Sequence, residues 1–113
     1  MSQTILEKIL IKINDLDTSE LIKFLLTYKK NEYIYPSVIK NKFKYTDDKV
    51  YKILNTLEEA GILKMYYEYY CYNCDRNTKM VECFNQIEVP YYCDNCGEEL
   101  HFENVKVVFK VMC

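Results

Sequence analysis

The stretch YCYNCDRNTKMVECFNQIEVPYYCDNCG, residues 70–97, contains two Cys-x-x-Cys pairs separated by eighteen residues. Each pair supplies two sulfur ligands from one tight turn. Four thiolates at this spacing are typical of a structural, tetrahedral Zn²⁺ site. Gly97 directly follows the second pair, where a turn with positive φ is easily adopted. The sequence therefore predicts one structural Zn²⁺, and the predicted ligands are Cys71, Cys74, Cys93 and Cys96.

Redox chemistry and disulfide bonding are the other common uses of paired cysteines. A redox-active dithiol is usually a single Cys-x-x-Cys beside a βαβ pattern, which this sequence does not show. Disulfides require export, and residues 1–13 lack the cationic start, apolar run and cleavage site of a signal peptide. Thiols stay reduced in the cytosol. We therefore expect a cytoplasmic protein whose paired cysteines bind metal.

Three further residues have side chains that could bind metal. His101 follows Cys96 by five residues, which favours a surface histidine over a replacement ligand. Cys83 lies between the two pairs, where a fifth thiol is superfluous for tetrahedral zinc and a buried free cysteine is the simpler interpretation. Cys113 continues the apolar face of the last predicted strand. The sequence assigns no role to any of the three.

Residues 4–13 predict a first helix, because apolar side chains recur there with a helical period. Thr4 and Glu7 have the spacing of a capping box at its start. The apolar surface is wider than one side of a small domain needs to cover. Two interpretations stay open: an ordinary packing helix, or a helix that also forms a homodimer through Ile5 and Ile9.

Three more helices are predicted before the cysteine-rich stretch. Asp17 followed by Glu20 indicates a helix start. Pro36 suits a first helical position, while Thr46 and Gly61 suit the N-cap and the residue beyond the C-cap of a longer helix. The predicted segments run from Asp17 to about Tyr28, from Pro36 to about Phe43 and from Thr46 to just before Gly61.

Alternating apolar residues predict one strand on each side of the cysteine pairs, at residues 62–70 and 104–112. Between the pairs, Met80 to Glu88 is expected to form a further strand or hairpin arm. No apolar run is long enough to span a membrane, so we expect no membrane partner.

This order of elements resembles the winged helix-turn-helix superfamily. The run TDDKVYKILNTLEEAGILK, residues 46–64, is similar to its third helix and first wing strand, and the resemblance covers residues 18–70. It implies an α+β fold in which the strand after the third helix pairs antiparallel with a later strand, and it indicates fold more than task.

The resemblance implies that a four-cysteine zinc ribbon is inserted at the wing. The expected divisions are a winged-helix half with its N-terminal helix at 1–70, the ribbon at 71–103 and a closing wing strand at 104–113. The alternative is a ribbon that forms a separate C-terminal domain. A winged helix followed by a ribbon is also loosely similar to the architecture of archaeal transcription factor E, although this chain is shorter and lacks the long connecting helix of that family.

The charge distribution bears on whether the partner is DNA or protein. The formal charge of −2 does not favour a protein that coats nucleic acid. Residues 29–52 nevertheless carry seven lysines against three acids, whereas residues 71–113 carry four cations against seven acids. The candidate DNA-contacting residues around the third winged-helix segment are Lys40, Lys42, Lys44, Lys49, Tyr51, Lys52 and Asn55.

Other features favour a protein partner. Asp47 and Asp48 would meet phosphates at the end of the helix that normally enters the groove. Seven tyrosines in residues 66–92 cannot share one sheet face, and Tyr66 and Tyr70 are the candidate protein-interface residues. Since no nucleophile–base pair is visible, we expect a non-enzymatic, zinc-stabilised adaptor or regulatory subunit of a nucleic-acid-associated system. The alternative is a DNA-binding transcription regulator.

Overall fold

A computed structural model describes residues 1–13 and 18–113 and shows a mixed α+β fold. None of the helices in these two ranges has both the length and the apolar character that membrane crossing requires. The α-helices are α1 Gln3–Leu10, α2 Thr18–Leu25, α3 Pro36–Phe43 and α4 Asp47–Glu59. The strands are β1 Tyr33–Ile34, β2 Leu63–Cys71, β3 Arg76–Val81, β4 Tyr91–Tyr92, β5 Glu99–Leu100 and β6 Val105–Val111, and 3₁₀ turns occupy Phe84–Gln86 and Phe102–Asn104.

Four strands form one sheet in the order β1–β6–β2–β3, and β4 pairs with β5 in a separate hairpin. Two hydrogen bonds fix the direction of β6 beside β2. The backbone N–H of Met112 donates to the carbonyl of Ile62 (2.9 Å), and the side chain of Asn104 donates to the carbonyl of Tyr70 (3.3 Å). The residue after β6 is thus bonded to the residue before β2, and the residue before β6 is bonded near the end of β2. The two strands therefore run antiparallel. The predicted pairing of these two segments is confirmed.

The chain divides into two compact units. Residues 1–64 and 109–113 form the first, which we call the helical unit, and residues 65–108 form the second, which we call the cysteine unit. The sequence predicted a different division, into a winged-helix half, a ribbon and a closing strand with boundaries at residues 70/71 and 103/104. That division stays a prediction. The fully buried side chains of the helical unit include Leu6, Leu10, Leu21, Leu25, Ile34, Ile39, Ile53, Leu54, Leu57 and Phe109.

Helix α1 differs from its prediction at both ends. The side chain of Ser2 accepts a hydrogen bond from the backbone N–H of Ile5 (3.5 Å), so Ser2 is the N-cap. The predicted capping box at Thr4 is therefore wrong, because Thr4 already lies inside the helix. The helix ends at Leu10 and not at residue 13. The helix start predicted at Asp17 lies outside the described residues.

The terminal signals of α3 and α4 are confirmed. Pro36 is the first residue of α3, and the Thr46 hydroxyl accepts a hydrogen bond from the backbone N–H of Lys49 (3.3 Å) at the start of α4. Gly61 has φ +80°, in the left-handed region that follows many helix C-termini. The predicted Met80–Glu88 strand is instead the end of β3 followed by the 3₁₀ turn Phe84–Gln86.

Candidate metal centre

Each Cys-x-x-Cys pair lies at the turn between two antiparallel strands. Cys71 is the last residue of β2 and pairs across the turn with Arg76 at the start of β3. The second pair lies between β4 and β5, and the backbone N–H of Cys93 donates to the carbonyl of Glu98 (2.9 Å). Each turn thus presents both of its thiols from one short, hydrogen-bonded loop.

The residue after each pair has a left-handed backbone. Gly97 has φ +76° and Asp75 has φ +55°, which confirms the turn predicted at Gly97. Asp75 was not identified from the sequence, although aspartate and asparagine adopt this conformation more often than most residues. Its carboxylate accepts a hydrogen bond from the hydroxyl of Tyr70.

The four Sγ atoms lie close enough together to hold one metal ion. All of them lie within 4.8 Å of one another, with 3.6 Å between Cys71 and Cys96 and 3.8 Å between Cys74 and Cys93. A tetrahedron with metal–sulfur bonds of about 2.3 Å has edges of about 3.8 Å. All four cysteines are free, not disulfide-bonded. The donor set therefore fits a tetrahedral metal ion that prefers sulfur.

The centre is half buried in a small apolar cluster. Cys71 and Cys93 are buried and pack with Tyr69 and Leu100. Cys74 is half-buried and Cys96 is exposed. The hydroxyl of Tyr69 both accepts from the backbone N–H of Glu88 (2.7 Å) and donates to its carbonyl (3.0 Å). Two of the sulfur donors are thus held by the packing of the unit's own core.

Hydrogen bonds and burial divide the thiols by acidity. Hydrogen bonds lower the pKa of Cys96 to about 6, and the side chain of Asn73 contributes most. The Asn95 amide, which donates to the sulfur of Cys74 (3.2 Å), acts to lower the pKa of Cys74. The side chains of Cys96, Cys93 and Cys71 together with burial outweigh it and raise that pKa to about 12. Burial is the main cause that raises the pKa of Cys71. Holding four thiolates this close therefore requires a compensating cation.

The residues left without a role by the sequence lie outside this set. Within residues 1–13 and 18–113, the four cysteines are the only group of three or more His, Cys, Asp or Glu residues placed to hold a metal ion. His101 contacts Glu99 instead (Nε2–Oε1 3.5 Å). Cys83 is exposed, so its interpretation as a buried thiol is wrong, and Cys113 is also exposed.

Several predicted DNA-contacting residues are engaged within the helical unit. Lys40 forms an ion pair with Asp47 (2.9 Å). The ammonium of Lys42 lies 5.3 Å from the ring centroid of Phe24, and that of Lys49 lies 4.4 Å from the ring centroid of Tyr45. Tyr51 is half-buried, whereas Lys44, Lys52 and Asn55 are exposed.

The predicted protein-interface residues differ in exposure. Tyr66 and Tyr70 are half-buried, and the ammonium of Lys106 lies 4.4 Å from the ring centroid of Tyr70. Ile5 is 46% exposed, while Ile9 is half-buried, and the predicted homodimer through them stays a prediction. The most exposed aromatic side chains are Phe84 (65%), Tyr72 (59%), Tyr92 (57%) and Phe102 (56%). Tyr72 and Tyr92 belong to the seven tyrosines noted in the sequence, whereas Phe84 and Phe102 were not singled out.

Comparisons with models of protein families, with curated proteins and with solved structures returned no match for this chain.

Proposed function

We propose that the four cysteines bind one structural Zn²⁺. The supporting observation is that the four sulfur atoms lie within 4.8 Å of one another. Two of the separations, 3.6 and 3.8 Å, are close to the edge of a zinc–thiolate tetrahedron, about 3.8 Å. When bound, the metal ties the β2–β3 turn to the β4–β5 turn. Its ligand bonds supply cohesion to a unit whose own buried apolar cluster is small.

The helical unit, in this proposal, has a winged helix-turn-helix fold. Support comes from the three residues that join α3 to α4, residues 44–46, and from the position of β2 directly after α4. The antiparallel partner of β2 is β6, the last strand of the chain. The cysteine turns come between these two strands in the sequence, where a winged helix has its wing.

The proposed task is protein binding, as a non-enzymatic adaptor or regulatory subunit of a nucleic-acid-associated system. The observation that carries this proposal is the cysteine unit's combination of exposed aromatic rings with negative charge. Residues 65–108 contain eight Asp and Glu against three Lys and Arg. Such a surface repels phosphates, and aromatic side chains are enriched at protein interfaces.

DNA binding is a second candidate function, and the helical unit supplies its support. Residues 1–64 and 109–113 contain twelve lysines against nine acids. Lys44 precedes α4, and Lys52 and Asn55 lie on that helix with exposed side chains. A transcription regulator would use these side chains on phosphates and base edges.

Fluorescence anisotropy with a labelled random duplex at two salt concentrations separates the two functions. We expect weak, strongly salt-dependent binding, and cross-linking of the intact chain in its native host should join residues 65–108 to a protein. Tight binding to a defined duplex that is lost in Lys44→Ala with Lys52→Ala would favour DNA instead. Lys8→Ala with Lys12→Ala is the matched control, because it removes the same charge from exposed positions on and just after α1.

A further inference from the structure

Two 3₁₀ turns of the cysteine unit, Phe84–Gln86 and Phe102–Asn104, are built alike. In each, a phenylalanine begins the turn and an amide side chain ends it. The amide oxygen accepts a hydrogen bond from the backbone N–H of the residue before the turn. The two bonds are Cys83 N to Gln86 Oε1 (3.0 Å) and His101 N to Asn104 Oδ1 (2.9 Å). Local hydrogen bonds therefore stabilise the backbone turn in which each phenylalanine lies.

The two phenylalanine rings form one exposed surface, which we call the Phe pair. Phe84 is 65% exposed and Phe102 is 56% exposed. Their rings stack nearly parallel, with centroids 6.4 Å apart and an interplanar angle of 15°. The ring of Tyr67 meets Phe84 edge-on at 5.9 Å. Large apolar side chains that stay in water forgo the free energy of burial, so a preorganised exposed pair is a feature of interaction sites.

The faces of the Phe pair are not covered by cations, unlike those of the neighbouring tyrosines. Lys106 lies over Tyr70 and Tyr72, with its ammonium 4.4 and 5.1 Å from the ring centroids. Lys79 lies over Tyr69 and Tyr91 in the same way, at 5.9 and 5.2 Å. Among the residues that the structure describes, no lysine or arginine lies over Phe84 or Phe102. The exposed part of each ring therefore carries no cation from the described residues and can take one from another protein.

Acidic residues lie close to both phenylalanines in the sequence, and the cysteine unit as a whole is negatively charged. Glu103 follows Phe102 directly, and Glu82 lies two residues before Phe84. The cysteine unit as a whole has five more acids than bases. An aromatic surface in an acidic setting is complementary to a partner that is both cationic and apolar.

We propose that the Phe pair binds a protein segment that presents an arginine next to an apolar side chain. A guanidinium is planar and weakly hydrated, so it stacks on an aromatic ring while its N–H groups reach carboxylates. The compact lysine ammonium has no such plane. The adjoining apolar side chain covers the remaining exposed ring surface. This inference rests on the proposed protein-binding function and names the chemistry of the partner.

The experiment selects binders to the zinc-loaded intact chain from a random twelve-residue peptide library and measures their affinity by fluorescence polarisation. We expect the enriched peptides to share an arginine beside an apolar residue. Replacing that arginine by lysine should weaken binding several-fold, and Phe84→Ala with Phe102→Ala should weaken it by about tenfold or more. Tyr72→Ala with Tyr92→Ala is the matched control, because these rings are similarly exposed, and affinity should change by less than about twofold.

Phe84→Leu with Phe102→Leu separates ring chemistry from folding. Leucine keeps the apolar bulk, so zinc content should be unchanged while the preference for arginine over lysine disappears. Enriched peptides without arginine, or binding that survives both substitutions of the Phe pair, would overturn the inference and leave the protein-binding function standing. An empty selection would also overturn it. The protein-binding function itself is tested separately by the duplex-binding experiment. Tight, specific binding of DNA by the lysines of the helical unit would contradict it.

Discussion

Cys71 and Cys96, two of the four clustered cysteines, differ in burial. Cys71 is fully buried at the end of β2 and packs against Tyr69, whereas Cys96 is exposed. Loss of the Cys71 sulfur therefore affects both the ligand set and the apolar cluster of the cysteine unit. Cys83 lies between the two pairs in sequence, but it belongs neither to the group of four cysteines nor to the apolar cluster.

The first prediction compares Cys71→Ser with Cys83→Ser. We expect Cys71→Ser to be purified with almost no zinc and with a disordered cysteine unit, because a serine oxygen replaces a thiolate ligand at a buried site. Cys83→Ser should retain about one equivalent of metal. Metal analysis by mass spectrometry checks both. Equal zinc loss in the two variants would contradict the four-cysteine assignment.

The second prediction concerns Tyr69, whose hydroxyl is bonded to both backbone polar groups of Glu88. Tyr69→Phe removes the hydroxyl and leaves a part-buried N–H and carbonyl without that partner. We expect a loss of about 1–3 kcal/mol in the free energy of unfolding, measured by urea denaturation. Tyr92→Phe, at an exposed position, should change the stability by less than about 0.5 kcal/mol. Similar values for the two variants would show that the Tyr69 bonds do not stabilise the fold.

The cluster of four cysteines could be predicted from the sequence because chelation imposes a short, fixed spacing on cysteines. Asp75 and Asn95 were missed, because their contributions depend on a left-handed backbone and on a hydrogen bond that forms only after the two turns meet. The exposure of Phe84 was missed for a related reason. A phenylalanine in sequence indicates a core residue until the 3₁₀ turn that projects it is known.

At the scale of elements, local signals identified the starts of α3 and α4 and the glycine beyond the end of α4, but neither end of α1. Pro36 and Thr46 act within their own first turn, so their positions were predictable. The end of α1 at Leu10 and the division of residues 80–88 between β3 and a 3₁₀ turn were not. In the latter segment, the Gln86 side chain accepts from the backbone N–H groups of Glu82 and Cys83 (both 3.0 Å), which favours a turn over a continued strand.

The third prediction tests the N-cap of α4. The hydroxyl of Thr46 accepts a hydrogen bond from the N–H of Lys49, and Thr46→Ala leaves that N–H without it. We expect a loss of about 1 kcal/mol and a lower Tm in thermal unfolding. Thr46→Ser keeps the hydroxyl and should be close to the original protein. A serine variant as destabilised as the alanine variant would attribute the effect to the lost methyl group instead.

The fourth prediction concerns β6, which lies between β1 and β2 in the sheet. Ending the chain after Asn104 removes the fully buried side chains of Val108, Phe109 and Val111. Each contributes about 1.5–3 kcal/mol, and together they approach the whole stability of a small domain, about 5–15 kcal/mol. We expect circular dichroism to show no cooperative unfolding transition. Deleting only the exposed Cys113 should preserve the transition, and a cooperative transition in the shorter chain would contradict a structural role for β6.

At the scale of the whole molecule, the two units differ in what holds them together. The helical unit buries a set of aliphatic side chains contributed by its helices and strands. The cysteine unit's apolar cluster centres on four residues, Tyr69, Cys71, Cys93 and Leu100, of which two are proposed metal ligands. The antiparallel pairing of β2 with β6 could be predicted because alternation marks both strands and the winged-helix resemblance joins them. The size of each core could not, since burial depends on how distant segments pack.

The fifth prediction follows from this difference in cohesion. Removing zinc with a chelator should unfold the cysteine unit locally, because ligand bonds replace packing there. In hydrogen exchange, we expect the amides of Cys93 and Gly97, which close the second turn, to lose protection by more than about tenfold. The amide of Leu26, bonded to the carbonyl of Ile22 at the end of α2, should keep its protection because no ligand lies in that core. Chelator pre-saturated with zinc is the control. Simultaneous loss of protection in the helices would show that the metal holds the entire chain, and unchanged exchange at Cys93 would show that it holds neither unit.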